Sequence, residues 1–130
     1  MSQETLAVTV AKAHVEAWGS HDFDAARGAL APDVKVTAAS TNPMLPHTEL
    51  TGVEPYMEGL IPFASGLERG STKVIASVGD EQNALLLVTS RLAPGGPFGP
   101  GGTLPGARLY LVDEAGKIKE EQVIFFLNRE

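Results

Sequence analysis

What most constrains the fold is a change of periodicity partway along the chain. Up to Ala64 the apolar residues recur mostly at helical spacing, with one alternating stretch at Val34 to Ala38, and from Thr72 onward they recur at the spacing of strands. Leu6 to Trp18 reads as a helix with Leu6, Val10, Ala13 and Ala17 on one stripe, stopped by Gly19 and Ser20. Asp22 is placed to cap a short second helix through Arg27 and Ala29, and Pro32-Asp33 breaks the chain again. Val34 to Ala38 alternates and is β-branched, which predicts a strand, whereas Asn42 to Thr51 reads as a loop. A third helix is expected from Val53 to Ala64. Glu54 and Pro55 suit its first turn, Met57, Leu60, Ile61 and Ala64 form its buried stripe, and Pro62 kinks or ends it.

Strands are then predicted at Thr72–Val78, Ala84–Leu92, Ala107–Val112 and Lys117–Leu127, with turns at Gly79–Asn83 and Asp113–Gly116. Helices first and a run of antiparallel strands afterwards is an α+β pattern. Between two of those strands lies PGGPFGPGGTLPG, Pro94 to Gly106. Proline and glycine do not hold a ladder, so this stretch reads as a surface loop. The other reading is a lid, with Phe98 or Leu104 touching a ligand.

Length and composition narrow the function. The 130 residues suit one domain, 1–130, large enough for a core without staples. A net charge of −6 with scattered basic residues argues against nucleic acid or an anionic membrane as partner. There are no cysteines, which excludes thiolate chemistry and suits a cytoplasmic address. Met1 to Val10 shows no leader pattern, and no stretch approaches the ~20 apolar residues of a membrane helix. No metal is expected, because no His-x-His, His-x-x-x-His or His-acid cluster appears on one element. No phosphate loop and no G-x-S-x-G elbow occurs either.

Several local motifs, taken in order, carry a resemblance. They are Ala17-Trp18-Gly19-Ser20-His21-Asp22-Phe23-Asp24, then Leu30-Ala31-Pro32-Asp33-Val34, then Leu50-Thr51-Gly52-Val53, and finally Val112 to Ile118. In order and spacing the chain resembles the nuclear-transport-factor-2-like superfamily, in its branch of SnoaL-type polyketide cyclases and steroid delta-isomerases. The resemblance implies a cone: a strongly curved mixed sheet packed on three N-terminal helices, with a pocket inside. It also implies a hydrophobic small molecule as partner and a homodimer.

The same resemblance locates the chemistry. The isomerases' carboxylate base falls at Ala38, which cannot take a proton, and their oxyanion groups fall at His14 and Arg108. No convincing second Asp completes the epoxide hydrolases' Asp-Arg-Asp set. The cyclases carry an acid on the last strand, and Glu121 is its counterpart here. Strand alternation puts Arg108, Tyr110 and Val112 on one face, and Lys119, Glu121, Val123 and Phe125 on another. The candidate catalytic residues are therefore Glu121, Arg108 and His14. The candidate ligand contacts are Trp18, Val36, Ala38, Tyr56, Tyr110, Val123 and Phe125.

Two readings of Arg108 and Glu121 stay open. One is an acid–base pair for a carbonyl compound, needing no cofactor. The other is a cross-strand ion pair on a solvated or dimer-facing surface, since a one-residue slip turns both outward. His14 is either a pocket donor or a histidine satisfied at a helix–sheet contact. His21 is expected to be solvated, and His47 lies near the pocket mouth or in free loop. Two functions follow: a cyclase- or isomerase-type enzyme, or a non-catalytic ligand-binding or dimerising domain.

Overall fold

The computed structural model describes residues 5–40, 48–94 and 102–125. The helices come first. Helix α1 (Leu6–Gly19) buries Ala7, Val8, Ala11, His14, Val15 and Trp18. This is one step round from the expected stripe, and Leu6 stays exposed. A purely apolar count misses it because a histidine sits at the stripe's centre. At the helix start Leu6 N donates to the Glu81 carboxylate at 2.8 Å, an acid at the positive end of the helix. Helix α2 (Phe23–Gly28) is capped by Asp22, which accepts from Ala25 N. Helix α3 (Val53–Ser65) buries Tyr56, Met57, Leu60 and Ala64, while Ile61 faces out. Pro62 does not end α3, which runs on to Ser65. Gly52 enters α3 at φ +99°, a conformation that only glycine adopts without strain, and its N–H reaches the Val34 carbonyl at 2.7 Å.

The strands are β1 (Leu30–Ser40), β2 (Thr48–Thr51), β3 (Lys73–Gly79), β4 (Asn83–Arg91), β5 (Thr103–Val112) and β6 (Ile118–Phe125). They form one curved sheet in the order β2-β1-β6-β5-β4-β3, with β1 and β6 parallel and the other pairs antiparallel. The result is the α+β cone that the resemblance implies.

Four strand expectations need correction. Pro32 and Asp33 do not break the chain but lie inside β1, where the pairing is irregular between Leu30 and Lys35 and so tolerates a proline. Thr48–Thr51 is a strand rather than loop, a polar edge held on β1 by backbone bonds that leave no apolar signature. β5 starts at Thr103 instead of Ala107, so Pro105 and Gly106 do sit in the ladder, opposite Thr89 and Val88. Among the described residues the pairing of β5 with β6 starts at Gly106, and Pro105 gives up a single N–H while its carbonyl can still accept. Last, β5 and β6 slip register between Leu111 and Val112. That bulge turns Ile118 into the core and Lys119 outward, although simple alternation puts them the other way.

The core lies between the helices and the inner face of β4, β5 and β6. Trp18, Val15, Leu86, Tyr110, Val112 and Ile118 are fully buried there.

Candidate functional site

Inside this apolar core sits a small set of polar and charged groups. β5 alternates so that Leu104, Gly106, Arg108, Tyr110 and Val112 all face in. β6 presents Glu121 and Val123 to the same side. Tyr110 lies directly across from Glu121, and Arg108 lies across from Val123, one step along the diagonal. Helix α1 brings His14 and α3 brings Tyr56. Glu121 is 2 % exposed and Arg108 4 %.

These groups form one chain. Arg108 Nη1 donates to Glu121 Oε2 at 3.2 Å. Tyr56 Oη donates to Glu121 Oε1 at 2.7 Å. His14 Nε2 lies 2.9 Å from Tyr56 Oη, and His14 Nδ1 lies 3.0 Å from the Ala26 carbonyl of α2. A carbonyl only accepts, so Nδ1 carries a proton. The Arg108 guanidinium stacks over Trp18 at 4.7 Å from the ring centre and over Phe63 at 5.5 Å, where burial strengthens the cation–π attraction. The Tyr110 ring meets His14 edge-on at 6.0 Å. Among the described residues, Tyr110 Oη and Trp18 Nε1 are buried without a hydrogen bond of good geometry.

Burial sets the protonation of the cluster. It lowers the pKa of His14, and Glu121 nearby only partly offsets that. It pushes both tyrosine hydroxyls well above their ordinary range, and the adjacent Glu121 pushes the same way. Burial weighs against the Arg108 charge, but Tyr110 and Glu121 outweigh it and hold the guanidinium above its ordinary value. Arg108 also borders a cavity of about 10 Å³, lined by Phe63, Val88, Ser90, Leu104 and Gly106, which is room for one water. Among the described residues no three His, Asp or Glu side chains gather as metal ligands do.

The structure therefore brings His14, Arg108 and Glu121 together, with Trp18, Tyr56 and Tyr110 packed on them. Val36 and Ala38 of β1 are half-buried, with Val36 paired to Glu121 and Ala38 to Val123. Phe125 pairs through its backbone with Gly106, but its side chain lies outside the described residues, as do His47 and Phe98. Leu104 is buried in the cavity wall. His21 is not simply solvated: its Nε2 donates to the Ala64 carbonyl at 2.9 Å from a backbone at φ +63°. Arg91 faces solvent beside Glu68. The residue whose weight sequence reasoning missed is Tyr56, taken only as pocket wall. Its one signal is a hydroxyl one turn before Leu60 on the buried stripe of α3.

A curved sheet on three helices thus encloses an acid, a guanidinium, a tyrosine and a histidine at its centre. The chain belongs to the SnoaL-like domain family, whose pattern it matches over residues 11–121. A Kribbella flavida protein is 26% identical, with 94% of this chain and 88% of that one covered and a TM-score of 0.76. The Mycobacterium tuberculosis protein RV0760c, solved in complex with estradiol-17beta-hemisuccinate, is 14% identical with a TM-score of 0.75, covering 92% and 93%. An epoxide hydrolase of the LEH-like type from M. tuberculosis is 20% identical at a TM-score of 0.69, covering 92% and 82%. The last two likenesses are of fold. No curated protein matches the chain. Among the described residues no helix is long and apolar enough to cross a membrane.

Proposed function

We propose that this chain acts as a single-domain, cofactor-independent enzyme on an apolar carbonyl compound in the cytoplasm. Glu121 takes a proton from the carbon beside the carbonyl, and Arg108 faces the oxygen on which negative charge develops. His14 and Tyr56 orient Glu121, and Trp18, Val36, Ala38, Tyr110, Val123 and Phe125 wall the ligand. One observation carries the reading: the ion pair of Arg108 and Glu121 is buried and tied into a single network with Tyr56 and His14. A buried ion pair rarely returns its desolvation cost as stability, so its presence points to use. The estradiol-17beta-hemisuccinate bound in the structure of the fold neighbour RV0760c supports a small-molecule ligand.

The single tryptophan, Trp18, lies under Arg108 and reports on the site. Apolar ketones and aldehydes are screened by quenching of Trp18 fluorescence, and the binders are followed for product. Saturable quenching, with turnover lost in Glu121→Gln, is the expected result. Full turnover in Glu121→Gln overturns the catalytic role. Saturable binding with no product favours the second reading, a non-catalytic binding domain, which the missing base at Ala38 supports.

We also propose a homodimer. Val78, Leu85 and Leu109 form one cross-strand row on the outer face of the sheet, and Leu87 and Ile124 flank Ala107 in the next. All five large side chains are exposed, Val78 at 65 %. A continuous apolar face of this kind suits a second copy of the chain.

A further inference from the structure

Counting protons along His14, Tyr56 and Glu121 exposes a shortfall. Two short contacts flank the tyrosine oxygen, one to His14 Nε2 and one to Glu121 Oε1. Each needs a proton between its heavy atoms. His14 Nδ1 spends its proton on the Ala26 carbonyl. With a neutral imidazole and a Glu121 carboxylate, Nε2 and the carboxylate are both acceptors, and the single hydroxyl proton of Tyr56 must serve both. One of the two contacts is then between lone pairs, in a core where an unmade hydrogen bond is costly.

One added proton removes the conflict in either of two ways. Held on Glu121, it is donated to the Tyr56 oxygen while the tyrosine proton turns to His14 Nε2. Passed along, the Glu121 proton moves to the Tyr56 oxygen as the tyrosine proton moves to Nε2, leaving a carboxylate, a neutral tyrosine and an imidazolium. Both arrangements satisfy every donor and acceptor of the chain.

We infer that His14, Tyr56 and Glu121 form a store for one proton, empty in the resting protein and filled when Glu121 takes a proton from its substrate, with Tyr56 as the positioning residue that joins the two ends. The inference rests on the acid–base reading of Glu121 and names how that site is regulated. The network is complete only after proton abstraction, so it stabilises the state that follows the chemical step more than the resting state. Burial keeps the resting imidazole of His14 neutral, which leaves its Nε2 as an acceptor. The charged and titratable groups facing the chain are Arg108 and Tyr110 from β5, besides the three members on α1, α3 and β6. Arg108 keeps its charge throughout and holds the other carboxylate oxygen.

The test is a pH titration of the whole protein by NMR, following the ring nitrogens of its three histidines and the carboxyl carbon of Glu121. The expected result is a neutral His14 protonated at Nδ1, and one proton whose uptake moves the His14 and Glu121 signals with a common midpoint. In Tyr56→Phe the common midpoint splits into two. A His14 protonated at Nε2 and bare at Nδ1 overturns the inference, and that reading needs no variant to fold. Midpoints that are independent in the wild type, or unchanged in Tyr56→Phe, also overturn it. Shared titration without any turnover that depends on Glu121 leaves the proton store standing and removes the enzyme. Such turnover with independent titration does the reverse.

Discussion

Tyr56 and Glu121 meet at 2.7 Å although 65 residues separate them in the chain. The contact ties helix α3 to the last strand across the inside of the cone. It gives the buried carboxylate a second donor beside Arg108, which is what a charged group needs to survive without water. The polar centre of the protein is thus assembled from α1, α3, β5 and β6 at once.

The pair of Arg108 and Glu121 makes the first prediction. Glu121→Ala leaves a buried guanidinium without its carboxylate and is expected to lose about 3–5 kcal/mol of stability. The double variant Arg108→Met, Glu121→Leu removes both charges and is expected to recover most of that loss. Urea unfolding of the wild type, Glu121→Ala and the double variant checks it. A double variant as unstable as Glu121→Ala rules out this account of the pair.

Acid should weaken the fold through His14. Its folded pKa lies below the ordinary value of 6.5 because it is buried. Between those two values the unfolded chain binds more protons than the folded one, so stability falls as pH drops through that window and rises again with pH. Thermal unfolding between neutral and mildly acidic pH measures the slope. His14→Gln is expected to be less stable at neutral pH but flatter across the window.

At the alkaline end both tyrosines of the chain, Tyr56 and Tyr110, hold their protons well above pH 10. The unfolded chain begins to lose them near that pH. Their contribution is therefore complete below about pH 10 and is lost as pH rises toward the folded values. Tyrosinate absorbance should stay flat above that pH and then rise together with the loss of helical circular dichroism. A smooth rise in absorbance from a protein that stays folded contradicts the burial of these hydroxyls.

The outer face of the sheet gives the fourth prediction. Leu85 and Leu109 face each other across β4 and β5 with their side chains exposed. A lysine at each, Leu85→Lys with Leu109→Lys, is expected to shift sedimentation from a dimer to a monomer while the circular dichroism stays native. A wild type that sediments as a monomer at every concentration removes the dimer.

Much of this fold could be read from spacing. Three helices, the Asp22 cap, the turns at Gly79–Asn83 and Asp113–Gly116 and the grouping of side chains along β5 all follow local rules, because backbone bonding and side-chain alternation act over a few residues. The errors fell where that locality fails. β2 is polar and exists only because β1 offers it a backbone edge. Pro32 looks like a breaker but sits where the ladder is irregular, and Pro105 is carried in the pairing of β5 with β4. The bulge beside Lys119 inverts two side chains that alternation assigns the other way. At the site, alternation groups Arg108 with Tyr110 and Glu121 with Val123, but only the packing of the helices on the sheet turns those faces inward, and no spacing connects Tyr56 to either of them.

By itself the amino-acid sequence determined the α+β class, the order of every element but β2 and the family to which the chain belongs, since these depend on periodicity and on short motifs in series. The tertiary structure alone decided that His14 stands at the centre of the α1 stripe and that His14, Tyr56 and Glu121 share one line of hydrogen bonds. The physical reason is desolvation. Burying a polar group is costly without partners within about 3 Å, and for His14, Tyr56 and Glu121 those partners come from elements far apart in sequence, so they become visible only once the helices close on the sheet.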